Sequence, residues 1–423
     1  MNTRFHSMRA MQDENVDTGE LQIQITSQAT SCPISDAKVK ISYTGDSEDT
    51  LEELSTDASG FTETIDLKAP PVDYSLVENN DLQPYSEYTL EISASGFQSL
   101  IISGTEILAT VKAVQNVQLQ PEPQAEASTY VIPAHTLYGD YPPKIAEPEI
   151  KPVNESSEIV LSRVVVPEYV VVHDGPPNDS RAQNYYVRYK DYIKNVASSE
   201  IYATWPANTI RANTLAIMSF TLNRIYTEWY RNQGYDFTIT SSTAFDHKWI
   251  PERSFYDTIS AVVDELFSNF LSRPNVRQPI LTQYCDGRKV TCPNWMTQWG
   301  SKSLGDQNYS PIEIIRYFYG DNMYINVARE ISGIPSSWPG YNLEVGSAGA
   351  KALQMQEQIN TIAAAYPAIS KVTADGVYGY ETTAAVSGIQ EVFGLPVTGV
   401  TDYRTWHKIS EIYVSVSRIA ELS

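Results

Sequence analysis

The sequence predicts a multidomain protein with an N-terminal all-β sandwich, a central α+β domain and a C-terminal domain of three helices. Three observations predict it. Apolar and polar residues alternate over residues 21–120, apolar residues recur at three- and four-residue steps from about 179, and three short helical patterns beyond 340 are separated by glycine-bearing turns. At 423 residues the chain is too long for one ordinary domain, and its 42% apolar content is enough to build packed cores.

Residues 1–20 (MNTRFHSMRAMQDENVDTGE) read as a tail without the apolar stretch of a secretory signal. No run of the chain approaches the roughly 18–20 apolar residues of a membrane span. Over residues 21–120 the runs LQIQIT, AKVKISY, FTETIDL, YTLEISA and SLIIS are separated by TGDSED, TDASG and VENNDLQP, the pattern of about seven short strands. Ten of the 24 prolines fall between 121 and 177. Residues 121–160 therefore read as an extended linker open to proteases, which would hold an activation cleavage site. The apolar runs IVLSRVVV and EYVVV open the next domain, 161–335.

Within that domain Pro206 suits the first position of a helix carrying Ile210, Thr214, Ile217, Thr221, Ile225 and Trp229. A second helix is signalled by Phe255, Ile259, Val262, Val263, Leu266, Phe267 and Phe270. A third starts at Ser310-Pro311-Ile312-Glu313, a capping box with proline at its first turn. The stretch PILTQYCDGRKVTCPNWMTQWG between them reads as strand and loop. Ser336-Ser337-Trp338-Pro339-Gly340 marks the boundary before the last domain, 340–423.

The formal charge of −21 argues against a nucleic-acid partner, because phosphate would be repelled. Residues 1–160 hold 26 acidic and 8 basic side chains, whereas the remainder holds 25 and 22. The acidity thus belongs to the N-terminal part, as a solvated surface or as a regulatory feature. Cys32, Cys285 and Cys292 form neither a disulfide scaffold nor a zinc ribbon. Cys285 and Cys292 could pair across a hairpin in an oxidising compartment or stay as free thiols. A zinc site would need further ligands that the sequence does not place near them.

The run GSAGAKALQMQEQIN, followed by ADGVYGYETTAAVSGIQEVFGLPVTGVTDYRTW, resembles the three-helix peptidoglycan-binding domain of wall hydrolases. Leu353, Gln354, Asp375, Gly376, Gly379, Thr382, Ala385, Val386, Gln390, Gly394, Leu395, Gly399, Asp402, Thr405 and Trp406 carry the likeness. It implies that Asp375, Tyr378 and Trp406 serve the peptidoglycan-binding module, although aromatic residues there can equally be core.

The segment DYIKNVASSEIYATWPANTIRANTLAIMSF resembles the catalytic motif of the stage II sporulation protein D family of lytic transglycosylases. Glu200 stands where that family carries its catalytic acid, with Tyr192 before it and Trp205-Pro206 after it. TSSTAFDHKW (240–249), MTQWGSKSL (296–304) and EIIRYFYG (313–320) follow in the family's order. The resemblance implies a peptidoglycan lyase needing one positioned carboxyl that acts as acid and then as base. Such a carboxyl must stay protonated near neutral pH, which apolar burial by Val196, Ile201, Tyr202 and Trp205 would favour. Tyr202, Trp205, Asp246, Gln298 and Trp299 are the expected substrate contacts. Gln298 suits an N-acetyl group, Trp299 a sugar face or packing, and Asp246 an oxocarbenium ion or a turn. His247 departs from the family, whose members carry Gln at that position. The family's Cys/His metal cluster is not matched, so neither metal nor cofactor is expected.

GELQIQIT, ISDAKVKISY, STDASGFTETIDL and SASGF resemble carboxypeptidase-regulatory-like sandwich domains. Taken together, the three regions resemble clostridial spore cortex-lytic enzymes. That resemblance implies an extracytoplasmic zymogen of the spore cortex, with cortex peptidoglycan as substrate, activated at germination when a serine protease removes the N-terminal region. A tethered inhibitory region needs little intrinsic affinity, since a flexible linker holds it at an effective concentration on the order of millimolar. Two other readings are a non-catalytic wall-binding spore protein and a Cys/His endopeptidase built on Cys285 or Cys292.

Overall fold

A computed structural model describes residues 16–122, 125–151, 163–333 and 338–417. Most of the predicted tail, part of the expected cleavage segment and the boundary near 335 lie outside the described residues. The N-terminal region forms β1 (Asp17–Ser27), β2 (Lys38–Tyr43), β3 (Asp46–Ser55), β4 (Ile65–Ala69), β5 (Tyr85–Ser93), β6 (Leu100–Leu108), β7 (Lys112–Leu119) and β8 (Ser128–Val131). They build two sheets, with β7-β1-β4 in one and β3-β2-β5-β6-β8 in the other. The period-two pattern places Leu21, Ile23 and Ile25 of β1 in the core beside Val117 and Leu119 of β7.

The first sheet has a fourth strand from elsewhere. Phe255–Tyr256 of the middle region pairs antiparallel with β7, Phe255 opposite Val114 and Tyr256 opposite Ala113. Beside this shared sheet, Arg253 and Glu106 form an ion pair of 2.6 Å, both side chains almost wholly buried. The Arg253 guanidinium also donates to the Ser198 carbonyl at 2.8 Å. The N-terminal region is therefore held by a sheet and a buried charge pair as well as by its tether.

The middle region is α+β. Its central helix, Ala207–Tyr226, is buried along most of its length. Pro206 occupies the cap position, so the helix begins at Ala207, one residue later than the sequence suggests. The helix Pro311–Tyr319 carries the expected capping box of Ser310 and Glu313. The helix Tyr189–Glu200 ends at Glu200, because Ile201 turns to extended backbone while its amide still reaches the Ala197 carbonyl.

Residues 125–151 differ from the free linker that their composition predicts. Proline keeps the segment extended, but side chains on either side of each proline are fixed. β8 adds parallel to β6, and Ile132, His135, Leu137 and Lys151 are buried. Further along, Glu147 makes a two-armed ion pair with Arg224 at 2.6 and 2.9 Å. Glu149 does the same with Arg273 at 2.6 and 2.7 Å.

Beyond residue 340, the helices Ala350–Ala365, Tyr380–Val392 and Tyr403–Ser417 enclose a separate core around Met355, Ile359, Ile389 and Trp406. Two buried glutamines organise it in the same way. Gln356 accepts from the Gly376 amide and donates to the Val377 carbonyl and the Thr382 hydroxyl. Gln390 accepts from the Gly399 amide and donates to the Val400 carbonyl and the Thr405 hydroxyl. Gly376 and Gly399 have φ of 76° and 64°, a backbone region that disfavours side chains, so each turn can present its amide to the glutamine.

Candidate active site

Glu200 sits at the last position of its helix, where the unpaired carbonyl end of the peptide dipoles disfavours a negative charge. Its side chain borders a cavity open to solvent on one side, together with Lys144, Thr243, Tyr284 and Gln298. One carboxyl oxygen, Oε1, accepts from the Lys248 amide at 2.7 Å. The Gln298 side-chain nitrogen lies 2.7 Å from the Glu200 carbonyl oxygen and 3.3 Å from Oε2. Burial pushes the Glu200 carboxyl above its ordinary range, and the charge of Lys144, the Lys248 amide and the Gln298 amide hold back part of that rise. A buried carboxyl with two fixed donors and a raised pKa is equipped to hold a proton and release it at one place.

The other expected contacts are placed differently. Asp246 is fully buried, and its two oxygens accept from Arg224 Nε, the Tyr230 hydroxyl, and both the amide and hydroxyl of Thr240, all at 2.7–2.9 Å. This network joins the central helix to the 240–246 turn and gives Asp246 a structural position, away from the cavity wall. The reason is the neighbouring Arg224, whose buried charge requires a carboxylate partner.

Tyr202, Trp205 and Trp299 form one aromatic cluster, with ring centroids 5.0–6.2 Å apart. All three are buried. Trp205 donates its indole N–H to the Ser75 carbonyl of the N-terminal region at 2.9 Å, and His135 stacks on Tyr202 at 4.6 Å. Instead of lining the cavity, these rings lie under the N-terminal region and the 125–151 segment. His247 is also buried, with Nδ1 3.1 Å from the Tyr192 hydroxyl, and burial keeps its imidazole neutral.

Cys285 and Cys292 are joined in a disulfide that closes the loop carrying Asp286 and Lys289 beside the cavity. In the C-terminal domain Asp375 turns its oxygen to the Val377 amide at 2.8 Å and to Gln356. Tyr378 is buried with its hydroxyl on the Gly399 carbonyl, and Trp406 is core. Tyr378 and Trp406 build the domain and do not present free faces, whereas Asp375 is exposed at its turn and Tyr380 is 82% exposed.

Lys144, Lys248 and Tyr284 are the site residues that sequence reasoning missed. Lys144 lies in a proline-rich stretch with no helical or strand period to orient it, and Lys248 contributes only its backbone. Tyr284 could have been suspected from its place in the strand-and-loop segment before Cys285. Among the described residues no helix is long and apolar enough to cross a membrane.

Residues 349–409 match the family model of the peptidoglycan binding domain. The chain thus carries a peptidoglycan-binding domain. No curated protein matches the chain. Among solved structures, it is similar to the SleB N-terminal domain, with 25% identity over 18% of this chain and 99% of that one, at a TM-score of 0.16. It is also similar to the minor pilin GBS52 of Streptococcus agalactiae, with 15% identity over 28% and 49% of the two chains, at a TM-score of 0.18. The Bacillus anthracis TIE protein is 12% identical over 25% of this chain and 17% of that one, at a TM-score of 0.18. At such scores the likenesses identify no fold.

Proposed function

We propose that this chain is a lytic transglycosylase of spore cortex peptidoglycan, made as an inactive pro-form, with Glu200 as its acid and then its base. The observation that supports this most is the environment of Glu200. A carboxyl driven toward its protonated form by burial stands at a cavity wall with its two oxygens fixed by Lys248 and Gln298. The same chain carries a domain for the polymer.

The chemistry balances with one carboxyl. Protonated Glu200 donates to the glycosidic oxygen between N-acetylmuramic acid and N-acetylglucosamine, and that bond breaks. The Glu200 carboxylate then takes the proton of the muramic C6 hydroxyl as its oxygen bonds to C1, giving a 1,6-anhydro end without water. A retaining or inverting hydrolase would instead need a second carboxylate about 5–9.5 Å away on the opposite side of the bond. The N-terminal region would be the part removed by a serine protease at germination.

Purified cortex incubated with the protease-activated protein, followed by mass spectrometry of the released fragments, tests the reading. Anhydro-muramic ends support it, whereas reducing ends or cleaved peptide stems would overturn it. The alternative, a non-catalytic wall-binding spore protein, draws on the one matched domain being a binding domain. It predicts binding without release.

A further inference from the structure

Lys144 has no place in the proposed chemistry, yet it is half-buried in the lining of the cavity. Its ammonium donates to the carbonyl oxygens of Asp246 and Thr243, and lies 4.9 Å from the centre of the Tyr284 ring. It shares the cavity wall with Glu200 and Gln298. Upstream on the same segment, His135 covers the face of Tyr202 at 4.6 Å with rings 27° from parallel. One stretch of chain thus lays a ring on an aromatic face and brings a cation to the cavity that the Glu200 carboxyl also lines.

The segment is anchored at both ends. Its start is β8, hydrogen-bonded to β6 from Leu100 to Ser103. Its end is held by the two-armed pairs Glu147–Arg224 and Glu149–Arg273 and by the Lys151 amide on Gln278 at 3.0 Å. Bidentate arginine–carboxylate pairs fix geometry as well as attraction.

We propose that residues 128–151 are an inhibitory strap that occupies the glycan cleft, with Lys144 standing against Glu200 and His135 covering Tyr202. This deepens the zymogen reading above and rests on it for the identity of the cleft. The strap acts in two ways. It fills space that a sugar chain would need, and a cation beside Glu200 favours the carboxylate, the form that cannot donate a proton. Cutting the chain is then only a first step. The strap must also leave its two anchors before the cleft opens.

The anchor carboxylates can be removed without stranding the two arginines, while within the strap itself the buried Lys151 ammonium loses its ion pair with Glu147, which loosens that end further. Arg224 keeps Asp246 and the Phe245 carbonyl, and Arg273 keeps Asn322 and the Tyr319 carbonyl. The test uses the uncut full chain with Glu147→Gln and Glu149→Gln together, and separately with Lys144→Ala. In a Glu200→Gln background, the binding of a soluble GlcNAc–MurNAc tetrasaccharide is measured by calorimetry. A cleft closed most of the time weakens apparent affinity by the fraction of time it is open, so release should tighten binding by about tenfold or more. Tighter binding in either variant supports the strap, and unchanged binding in both overturns it. The same variants with Glu200 restored are assayed on cortex. Lysis without cutting supports strap and catalysis together. Gained binding with no lysis leaves the strap standing and sinks the transglycosylase reading.

Discussion

The side-chain nitrogen of Gln298 reaches both the main chain and the carboxyl of Glu200, at 2.7 Å and 3.3 Å. It ties the end of one helix to the start of another, since Gln298 opens the helix Gln298–Asp306. A donor on this carboxyl favours its ionised form, so losing the donor raises the pKa of the acid. Gln298→Leu is expected to lower the maximal rate of cortex lysis and to move the basic limb of the pH profile to higher pH. A limb that stays in place, or moves down, would separate Gln298 from the proton donor.

Glu200→Gln keeps the acceptor for the Lys248 amide but removes the proton. Loss of general acid–base catalysis should reduce lysis by about 10²–10⁴-fold. Melting temperature and sedimentation with cortex should be unchanged, because the binding domain at 349–409 is a separate core. Wild-type release of anhydro products by this variant would remove Glu200 from the mechanism.

Glu252 lies between the middle and N-terminal regions, where its carbonyl accepts from Gln115 at 2.9 Å. Burial pushes its carboxyl up to about 7. A folded-state pKa above the unfolded one means that the folded protein holds the extra proton. The stability it confers is complete below the unfolded pKa and is lost as pH rises through about 7. Urea titrations at pH 5 and pH 8 should show a smaller pH-dependent loss in Glu252→Gln than in the parent. Equal losses would show that the carboxyl is ionised throughout.

The paired roles of Gln356 and Gln390 give the C-terminal domain two equivalent weak points. Gln390→Ala leaves the Gly399 amide and the Val400 carbonyl without their partner, at a cost of about 1–3 kcal/mol for each buried group left unsatisfied. Cortex sedimentation should fall on warming at a lower temperature than in the parent, while the rest of the chain melts unchanged. Coincident melting of the whole protein in this variant would show that the domain is not an independent unit.

What the sequence made legible was local. The capping box at Ser310–Glu313, the alternation in β1 and the motif around Glu200 are each carried by residues close together in the chain. Gln298 was reached through a motif as well. For Asp246 the choice between an oxocarbenium contact and a turn stayed open, because its partner Arg224 lies on the helix Ala207–Tyr226, and nothing in TSSTAFDHKW announces a buried arginine. The segment 125–151 was read as a free tether because proline content reports stiffness and not destination. Its docking depends on Arg224 and Arg273, about 77 and 124 residues away in sequence. The same limit hid the pairing of Phe255–Tyr256 with β7. With that sheet in place, a cut alone would not free the N-terminal region by dilution, as a simple tether would.

The shared sheet also sets an order of events during synthesis. Ribosomes add about 5–20 residues per second, so β7 is finished roughly ten seconds before Phe255 is made. The N-terminal sheets can then close first and offer β7 as a ready edge, onto which the newly made Phe255–Tyr256 strand adds. Arg253 arrives at the same moment as its partner Glu106 is already in place. A chain started after β7 would bring the same strand out with an open edge and an arginine lacking its carboxylate. Recombinant production of the middle region should therefore recover more soluble protein when the N-terminal region is translated ahead of it, or supplied alongside.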